Sequence, residues 1–193
     1  MVLESDLELM LRVREGDAAS FEVLLHRYRV PLVSFFCRMV RDQGLAEDLA
    51  QEVFLRVYKS RERYQPEARF TTWLYRIAMN LALNAIRDRK DAVSETPDGD
   101  SDTGSVFDRF ADPQPTVEQR LMQVDRQRLI RQAVEALPER QRAAVILHKY
   151  QEVDYRQIAK ILSLTESAVK SLLFRAYETL RVRLEPLLRE GQI

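Results

Sequence analysis

The sequence predicts an all-α protein made of two small helical domains joined by an acidic flexible linker. Apolar residues recur at spacings of three and four in both halves of the 193-residue chain, which is the periodicity of amphipathic helices. No segment shows sustained alternation with a period of two, so we expect no sheet. An acidic stretch with two Gly and three Pro separates the halves, and its composition is unable to bury a core. We therefore place the domains at residues 1–92 and 117–193 and the linker at residues 93–116.

Four helices are expected in the first domain. The first carries an apolar stripe from Phe21 to Tyr28, and the second begins at Pro31, because proline suits the first turn of a helix. Gly44 should end that helix, and a third follows with inward residues from Ala46 to Tyr58. Pro66 marks a loop before the fourth helix. The inward residues of the fourth helix are Trp73, Leu74, Ile77, Ala78, Leu81 and Ala85.

The second domain contains a helix-turn-helix pattern. Two of its helices are joined by a turn of only three residues, Ser163 to Thr165. Thr165 is a suitable N-cap for the second of these helices, and Pro186 discourages its continuation. The predicted helices of this domain run from Val117 to Leu137, from Pro138 to about Tyr150, from Tyr155 to Leu162 and from Glu166 to about Leu184.

Charge and composition exclude several classes of protein. The formal net charge is zero, but residues 69–90 hold five basic groups against one acidic, whereas residues 91–118 hold one against eight. Local charge decides the surface field, so a DNA-binding face is still expected.

No apolar run reaches the roughly 18 residues of a membrane span, and the acidic N-terminus is not a secretory signal. We therefore expect a cytoplasmic protein without membrane insertion. With Cys37 as the only cysteine, the sequence predicts no disulfide, no metal site and no cofactor.

A polar stripe on the fourth helix is a candidate surface for single-stranded DNA. Its four residues follow one another at four, four and three positions, so they share one face opposite the apolar stripe. Arginine neutralises phosphates, and asparagine can read a base edge as donor and acceptor. Aromatic residues, which stack on unpaired bases, cluster at the start of the stripe. The polar residues are Arg76, Asn80, Asn84 and Arg87, and the aromatic residues are Tyr64, Phe70, Trp73 and Tyr75.

Two further helical faces are candidates for binding. The second helix of the helix-turn-helix presents a basic side that can enter a major groove; a plain helical hairpin with a solvated face is the alternative. The third helix of the first domain presents an acidic and amide face with one apolar anchor, which suits a basic helical protein as partner. The alternative is that this face is only solvated. The residues of the basic side are Lys170, Ser171, Phe174 and Arg175, and those of the acidic face are Asp48, Gln51, Glu52 and Leu55.

The chain carries the segments Ala46–Phe54, Phe70–Asn80 and Leu137–Arg142 in addition to the helix-turn-helix, and together they resemble the extracytoplasmic-function subfamily of the sigma-70 family of RNA polymerase sigma factors. The segment Ala46–Phe54 resembles the core-polymerase-binding motif, and Phe70–Asn80 resembles the segment that melts and reads the −10 element. The segment Leu137–Arg142 and the helix-turn-helix resemble the domain that binds the −35 element. The likeness covers essentially the whole chain. It implies a non-catalytic transcription initiation factor that acts in a stress response under an anti-sigma factor.

The resemblance also implies a role for each candidate face. Asp48, Gln51, Glu52 and Leu55 would contact the clamp of the largest polymerase subunit, and the second domain would contact the flap of the second largest. Arg76, Asn80, Asn84, Arg87, Phe70 and Trp73 would contact −10 DNA, single-stranded after melting. Lys170, Ser171, Phe174 and Arg175 would contact the −35 duplex. The acidic linker would thread towards the active-site cleft of the polymerase and the RNA exit path.

The chain departs from the family pattern at the helix-turn-helix. Ser163 stands where the family usually places Gly, so it adds strain if the position needs a positive φ. Leu172 and Tyr177 stand where many relatives carry basic residues, which predicts fewer or more apolar −35 contacts.

Two other classes of function remain open from the residues alone. A DNA-binding regulator with an N-terminal sensor domain would bind a duplex operator without polymerase. An enzyme would have to use His26 or His148, the only histidines, which lie in separate predicted domains. The sequence contains no Gly-rich phosphate loop, metal-ligand set or nucleophile dyad, which makes catalysis the weakest reading.

Overall fold

The structure is a computed structural model that describes residues 4–93 and 117–189, and within these ranges it consists of helices and loops. This agrees with the predicted all-α class. The first helical unit comprises α1 (Asp6–Arg14), α2 (Ala18–Val40), α3 (Gln43–Lys59), a 3₁₀ turn (Arg61–Arg63) and α4 (Phe70–Val93). The second comprises α5 (Val117–Glu135), α6 (Glu139–Val145), a π-helical turn (Ile146–Tyr150), α7 (Tyr155–Leu162) and α8 (Glu166–Arg189).

Helix α1 is an element that sequence periodicity did not predict. Ser5 caps it, because the Ser5 hydroxyl accepts from the Glu8 amide and the Glu8 carboxylate accepts from the Ser5 amide. Leu9, Met10 and Val13 bury the inner side of the helix against α2. The helix is only nine residues long, too short for a repeating apolar stripe to stand out.

Helix α2 runs unbroken through Pro31, so the predicted helix start at that residue is wrong. Proline removes one backbone donor, but residues on both sides of it are buried, and this packing keeps the helix continuous. The real break lies at Arg41, which has φ 61° and ψ 30°, followed by Asp42 as the N-cap of α3. Gly44 lies inside α3 rather than between two helices.

The core of the first unit is built around α2. Phe35 and Phe36 are fully buried, and α2 packs against α1, α3 and α4. Helix α4 contributes Leu74 and Ala78, both with no exposed surface. Because of this packing, one side of α3 and one side of α4 face the core, and the opposite sides of both helices face solvent.

The second unit is a helical cluster around the helix-turn-helix. Helix α8 continues to Arg189 through Pro186, so the expected end before that proline is wrong. Val169, Leu173 and Ala176 face the core with at most 1% exposure. Helix α7 packs against α8 and also against α4 of the first unit.

Residues 94–116, which make up nearly all of the predicted acidic linker, lie outside the described residues. The boundaries proposed for the two domains therefore stay predictions. Among the helices of residues 4–93 and 117–189, none is both long enough and apolar enough to cross a bilayer.

Candidate nucleic-acid and protein interfaces

The polar stripe on α4 forms a single exposed ridge. Arg76, Asn80, Asn84 and Arg87 are all exposed, while Leu74, Ala78 and Leu81 on the inward side are buried. Their spacing places them within one narrow arc of the helix, and at 1.5 Å per residue the ridge is about 16 Å long. Arg87 also lies 3.6 Å from the neighbouring Asp88 carboxylate. The ridge thus offers two guanidinium groups and two amides to a strand lying along α4.

An aromatic cluster supports the start of this ridge. The ring centroids of Tyr64 and Trp73 lie 5.0 Å apart, and those of Tyr28 and Phe70 lie 5.5 Å apart. Trp73 is half-buried and can be approached from outside. Phe70, predicted as a DNA contact, is only 2% exposed and lies beneath the surface, where it packs on Tyr28, Tyr64 and Trp73. Its position suits support of the loop rather than direct stacking on a base.

Helix α1 stabilises this aromatic cluster through hydrogen bonds to Asp6. The Asp6 carboxylate accepts hydrogen bonds from the Tyr28 hydroxyl and the Arg27 guanidinium. Burial, and then the bond to Asp6, raise the pKa of the Tyr28 hydroxyl above its ordinary value. The hydroxyls of Tyr64 and Thr72 are buried without a hydrogen-bond partner among the described residues. Buried polar groups without a partner are rare in folded proteins.

The acidic face of α3 is exposed as the sequence predicts. Asp42 caps the helix by accepting from the Leu45 amide at 2.9 Å. Asp48 and Gln51 are exposed, and Leu55 is 52% exposed although it is a large apolar residue. Glu52 is half-buried and pairs with Arg56, with 2.7 Å between Oε1 and Nε.

Tyr58 also belongs to this face, although its spacing predicts an inward residue. It is 41% exposed one turn beyond Leu55. The guanidinium carbon of Arg61 lies 4.3 Å from its ring centroid. Leu55 and Tyr58 together therefore form a larger apolar anchor beside the carboxylates of this face. No sequence signal distinguished Tyr58 from its buried neighbours, because it continues the apolar spacing.

The helix-turn-helix has the predicted capping and the predicted backbone strain. The Thr165 hydroxyl accepts from the Ala168 amide at 3.2 Å and so caps α8. Ser163 ends α7 with φ 54° and ψ 49°, the left-handed region that favours glycine. The amides of Ser163 and Leu164 both donate to the Ala159 carbonyl, which closes the turn.

The outward side of α8 carries the four predicted DNA contacts. Lys170, Ser171 and Arg175 are exposed, and Phe174 is 68% exposed, an unusual position for an aromatic ring. Lys170 lies 3.2 Å from the Glu166 carboxylate one turn earlier. Tyr177 continues this side, and its hydroxyl lies 2.9 Å from Nδ1 of His148. This basic side with its apolar tip has the size and chemistry to enter a major groove.

Comparison with known sequences finds two regions of the chain that match family models. Residues 24–92 match the family model of sigma-70 region 2, and residues 127–180 match that of sigma-70 region 4. The chain is 31% identical over 190 residues to the RNA polymerase sigma-H factor of Pseudomonas aeruginosa, covering 97% of this chain and 98% of that protein. It is 29% identical over 190 residues to the ECF RNA polymerase sigma-E factor of Escherichia coli K12, covering 96% and 97%.

Comparison with solved structures finds the same fold in two complexes. The structure of CnrH with the cytosolic domain of CnrY matches with a TM-score of 0.70 at 19% identity, over 95% of this chain and 99% of that one. The sigma factor RpoE of Bartonella quintana, in complex with the anti-sigma factor NepR, matches with a TM-score of 0.66 at 19% identity, over 86% and 96%.

Proposed function

Because this chain belongs to the extracytoplasmic-function subfamily of the sigma-70 family of RNA polymerase sigma factors, we propose that its three exposed faces divide core-polymerase binding and promoter recognition among them. A sigma factor is a transcription initiation factor: it directs core RNA polymerase to the −10 and −35 elements and supports DNA melting. In this proposal residues 1–92 bind the core and the −10 element, residues 93–116 form the linker, and residues 117–193 bind the −35 element. The single observation that carries it is the exposed ridge of Arg76, Asn80, Asn84 and Arg87 on α4.

The face on α3 binds the clamp of the largest polymerase subunit. Asp48 and Glu52 supply negative charge, Gln51 supplies an amide, and Leu55 with Tyr58 supplies the apolar anchor. Apolar side chains near the centre of an interface dominate its affinity, and the surrounding charges set the on-rate and the choice of partner. A basic helical surface is the partner that this combination fits.

The ridge on α4 captures the unwound −10 strand. Arg76 and Arg87 lie at its two ends, where they can hold phosphates, and Asn80 and Asn84 lie between them, where their amides can read base edges. Trp73 offers a half-buried ring for stacking. Each stacked base contributes about 1–3 kcal/mol, so capturing a few bases offsets the cost of opening the duplex.

The outward side of α8 reads the −35 duplex. Lys170 and Arg175 contact phosphates or guanine edges, Ser171 contacts either, and Phe174 suits the methyl group of thymine. Linking this helix to the −10 ridge within one chain makes the second contact intramolecular, so two weak contacts give strong recognition. The acidic linker follows the path towards the polymerase active site and the RNA exit channel, and the second domain contacts the flap of the second largest subunit.

The protein acts by binding alone, and its activity is controlled by another protein. Two structures with this fold are complexes, one of them with a named anti-sigma factor, NepR. An anti-sigma factor that covers the polymerase-binding face would keep this chain inactive in the cytoplasm until a stress signal releases it.

Reconstituted transcription tests the proposal. The purified chain is added to core polymerase and a library of promoters, and the start sites are sequenced. Initiation from a shared pair of elements is the expected result, and Asp48→Lys should abolish it by placing a cation against a basic clamp. Initiation that is no different with and without the chain would reject the sigma-factor roles. Duplex binding at one site without any need for polymerase would point instead to an ordinary regulator.

A further inference from the structure

His148 lies in a small aromatic cluster at the border of the outward side of α8. The Nδ1 atom of its ring lies 2.9 Å from the Tyr177 hydroxyl, and its ring centroid lies 5.0 Å from that of Tyr155. The ring of Tyr177 meets the imidazole edge-on, with 6.3 Å between the centroids. Three elements, the π-helical turn, α7 and α8, therefore meet at one imidazole, which is partly exposed.

The cluster adjoins the part of α8 that is proposed to enter the major groove. Lys170, Phe174 and Tyr177 follow one another at four and three positions, so they share the outward side of the helix. A helix in the major groove, which is about 12 Å wide, has a phosphate backbone on each side of it. Side chains on neighbouring elements are placed to contact these phosphates, and His148 lies on such an element beside Tyr177.

The Tyr177 hydroxyl leaves the second nitrogen of the imidazole for a ligand. Burial, and then the neighbouring Tyr155 and Tyr150, raise the pKa of the Tyr177 hydroxyl above its ordinary value, so it keeps its proton at neutral pH. It donates to Nδ1 of a neutral ring, whose own proton then lies on Nε2, and its oxygen accepts from Nδ1 of a charged ring. Nε2 is thus an N–H donor in both states, and within the described residues it has no hydrogen-bond partner.

The fixed charges that flank the imidazole along the chain balance one another. Between positions 147 and 157 the basic residues are Lys149 and Arg156, the acidic residues are Glu152 and Asp154, and all four are exposed. A proton on the imidazole therefore makes this segment positive, and its loss makes the segment neutral.

The charged groups on the other elements packed here are engaged elsewhere. Arg38 of α2 lies with its guanidinium carbon 4.2 Å from the ring centroid of Tyr150, and the buried Arg142 of α6 donates to a backbone carbonyl at 2.9 Å. Glu178 of α8 pairs with Arg181. In the part of the chain that the structure describes, the polar and ring contacts of the imidazole are thus the two tyrosines alone.

We propose that His148 is a further DNA contact of this sigma factor: its imidazolium binds a backbone phosphate of the −35 duplex through Nε2, and Tyr177 positions the ring. This inference rests on the proposed function. A phosphate stabilises the charged ring, so DNA binding takes up a proton and strengthens as the pH falls. The contact reads no base, so it strengthens binding to any duplex and leaves the choice of sequence to α8.

Duplex binding at two pH values tests the contact. The full chain is titrated into a labelled −35 duplex at about 50 mM salt, where phosphate contacts are strong, at about pH 6 and about pH 8, which bracket the charge change of histidine. Wild type should bind about tenfold tighter at the lower pH, the effect of one charge-assisted hydrogen bond. The slope of log K against log salt should also be steeper there by about 0.9.

Two substitutions at His148 should remove the pH dependence at opposite levels of affinity. His148→Gln keeps a polar side chain that never carries charge, so it should bind at both pH values as wild type does at the higher one. His148→Arg is charged throughout, so it should bind at both pH values as wild type does at the lower one. A loss of affinity in both variants at both pH values would show a structural role and overturn the contact.

Two further variants separate positioning from the titration of histidine in general. Tyr177→Phe keeps the ring but releases Nδ1, so it should lose most of the gain at low pH and keep the affinity at high pH. His26, the only other histidine, lies 3.6 Å from Glu22 on α2, so His26→Ala is the matched control and should keep the wild-type pH profile. A profile that disappears in His26→Ala, or persists in His148→Gln, contradicts the assignment.

An unrelated duplex separates this inference from the proposed function. With two histidines in the chain, NMR follows both rings, and either duplex should raise the titration midpoint of His148 by about one pH unit, the equivalent of a tenfold change in affinity. The midpoint of His26 should not move. Specific −35 binding without a shift at His148 overturns the contact and leaves the sigma-factor roles standing. A shift at His148 with equal affinity for both duplexes supports the contact and overturns −35 reading.

Discussion

Replacing Asn80 by alanine removes one reading group from the centre of the α4 ridge while leaving the fold alone. The Asn80 side chain is exposed, and its neighbour Ala78 faces the core on the opposite side. Alanine is the best helix former, so α4 should lose no stability. A change in activity would therefore report a lost contact rather than a damaged helix.

The expected size of the Asn80→Ala effect follows from the contact that a side-chain amide makes with a base edge. One good side-chain contact to a base edge discriminates by roughly 1–3 kcal/mol. That free energy corresponds to about a 5- to 150-fold loss in the equilibrium constant for opening the −10 element. Affinity for core polymerase should stay within twofold of the wild type, a change of under about 0.5 kcal/mol, because Asn80 is on α4 and the acidic face is on α3.

Two measurements separate these effects. A 2-aminopurine placed in the −10 element reports unstacking when the open complex forms, and fluorescence anisotropy of labelled chain reports core binding. Gln51→Ala is the matched control, since it removes an equally exposed amide from the acidic face. It should weaken core binding and spare melting by complexes that have assembled. If Asn80→Ala lowered core affinity as much as opening, or left opening intact, the role given to the ridge would be refuted.

Three further predictions concern the helix-turn-helix. Ser163→Gly should stabilise the chain by about 0.5–1 kcal/mol, because glycine adopts φ 54° without a Cβ clash, and calorimetry should show a midpoint higher by a few degrees. Thr165→Ala should cost about 1 kcal/mol of unfolding free energy by removing the bond to the Ala168 amide, as denaturant titration will show; Thr165→Ser should restore it. Lys170→Ala should weaken −35 binding at all sequences and lower the salt slope of log K by about 1, whereas a sequence-selective loss would show a base contact instead.

Sequence periodicity was enough to predict the surfaces but not how the helices join. The ridge on α4 and the basic side of α8 follow from residue spacing alone, because a helix places residues three and four apart on one face. The strain at Ser163 was expected only if the position needs a positive φ, because the family usually places Gly there, and its φ is indeed 54°. These features depend only on near neighbours in the chain.

The features that periodicity missed depend on tertiary packing. Pro31 looked like a helix start, yet burial on both sides carries α2 through it. Phe70 looked like a stacking residue, yet neighbouring aromatic rings cover it. The contact of Tyr75 with Gln151 joins residues 76 positions apart, and no local pattern marks either as a partner. The position of a residue in the chain decides which face of a helix it occupies, whereas tertiary packing decides which other residues cover that face.

The π-helical turn changes the direction in which side chains point along this part of the chain. Residues before it, such as Ala143, are oriented for the interior of their own unit, whereas Tyr150 and Gln151 after it are oriented for α2 and α4. A chain one residue shorter between positions 146 and 150 would regain ordinary α-helical winding, and everything beyond would turn by about 100°. Tyr150 and Gln151 would then point away from α2 and α4, and the contacts between the two units would be lost.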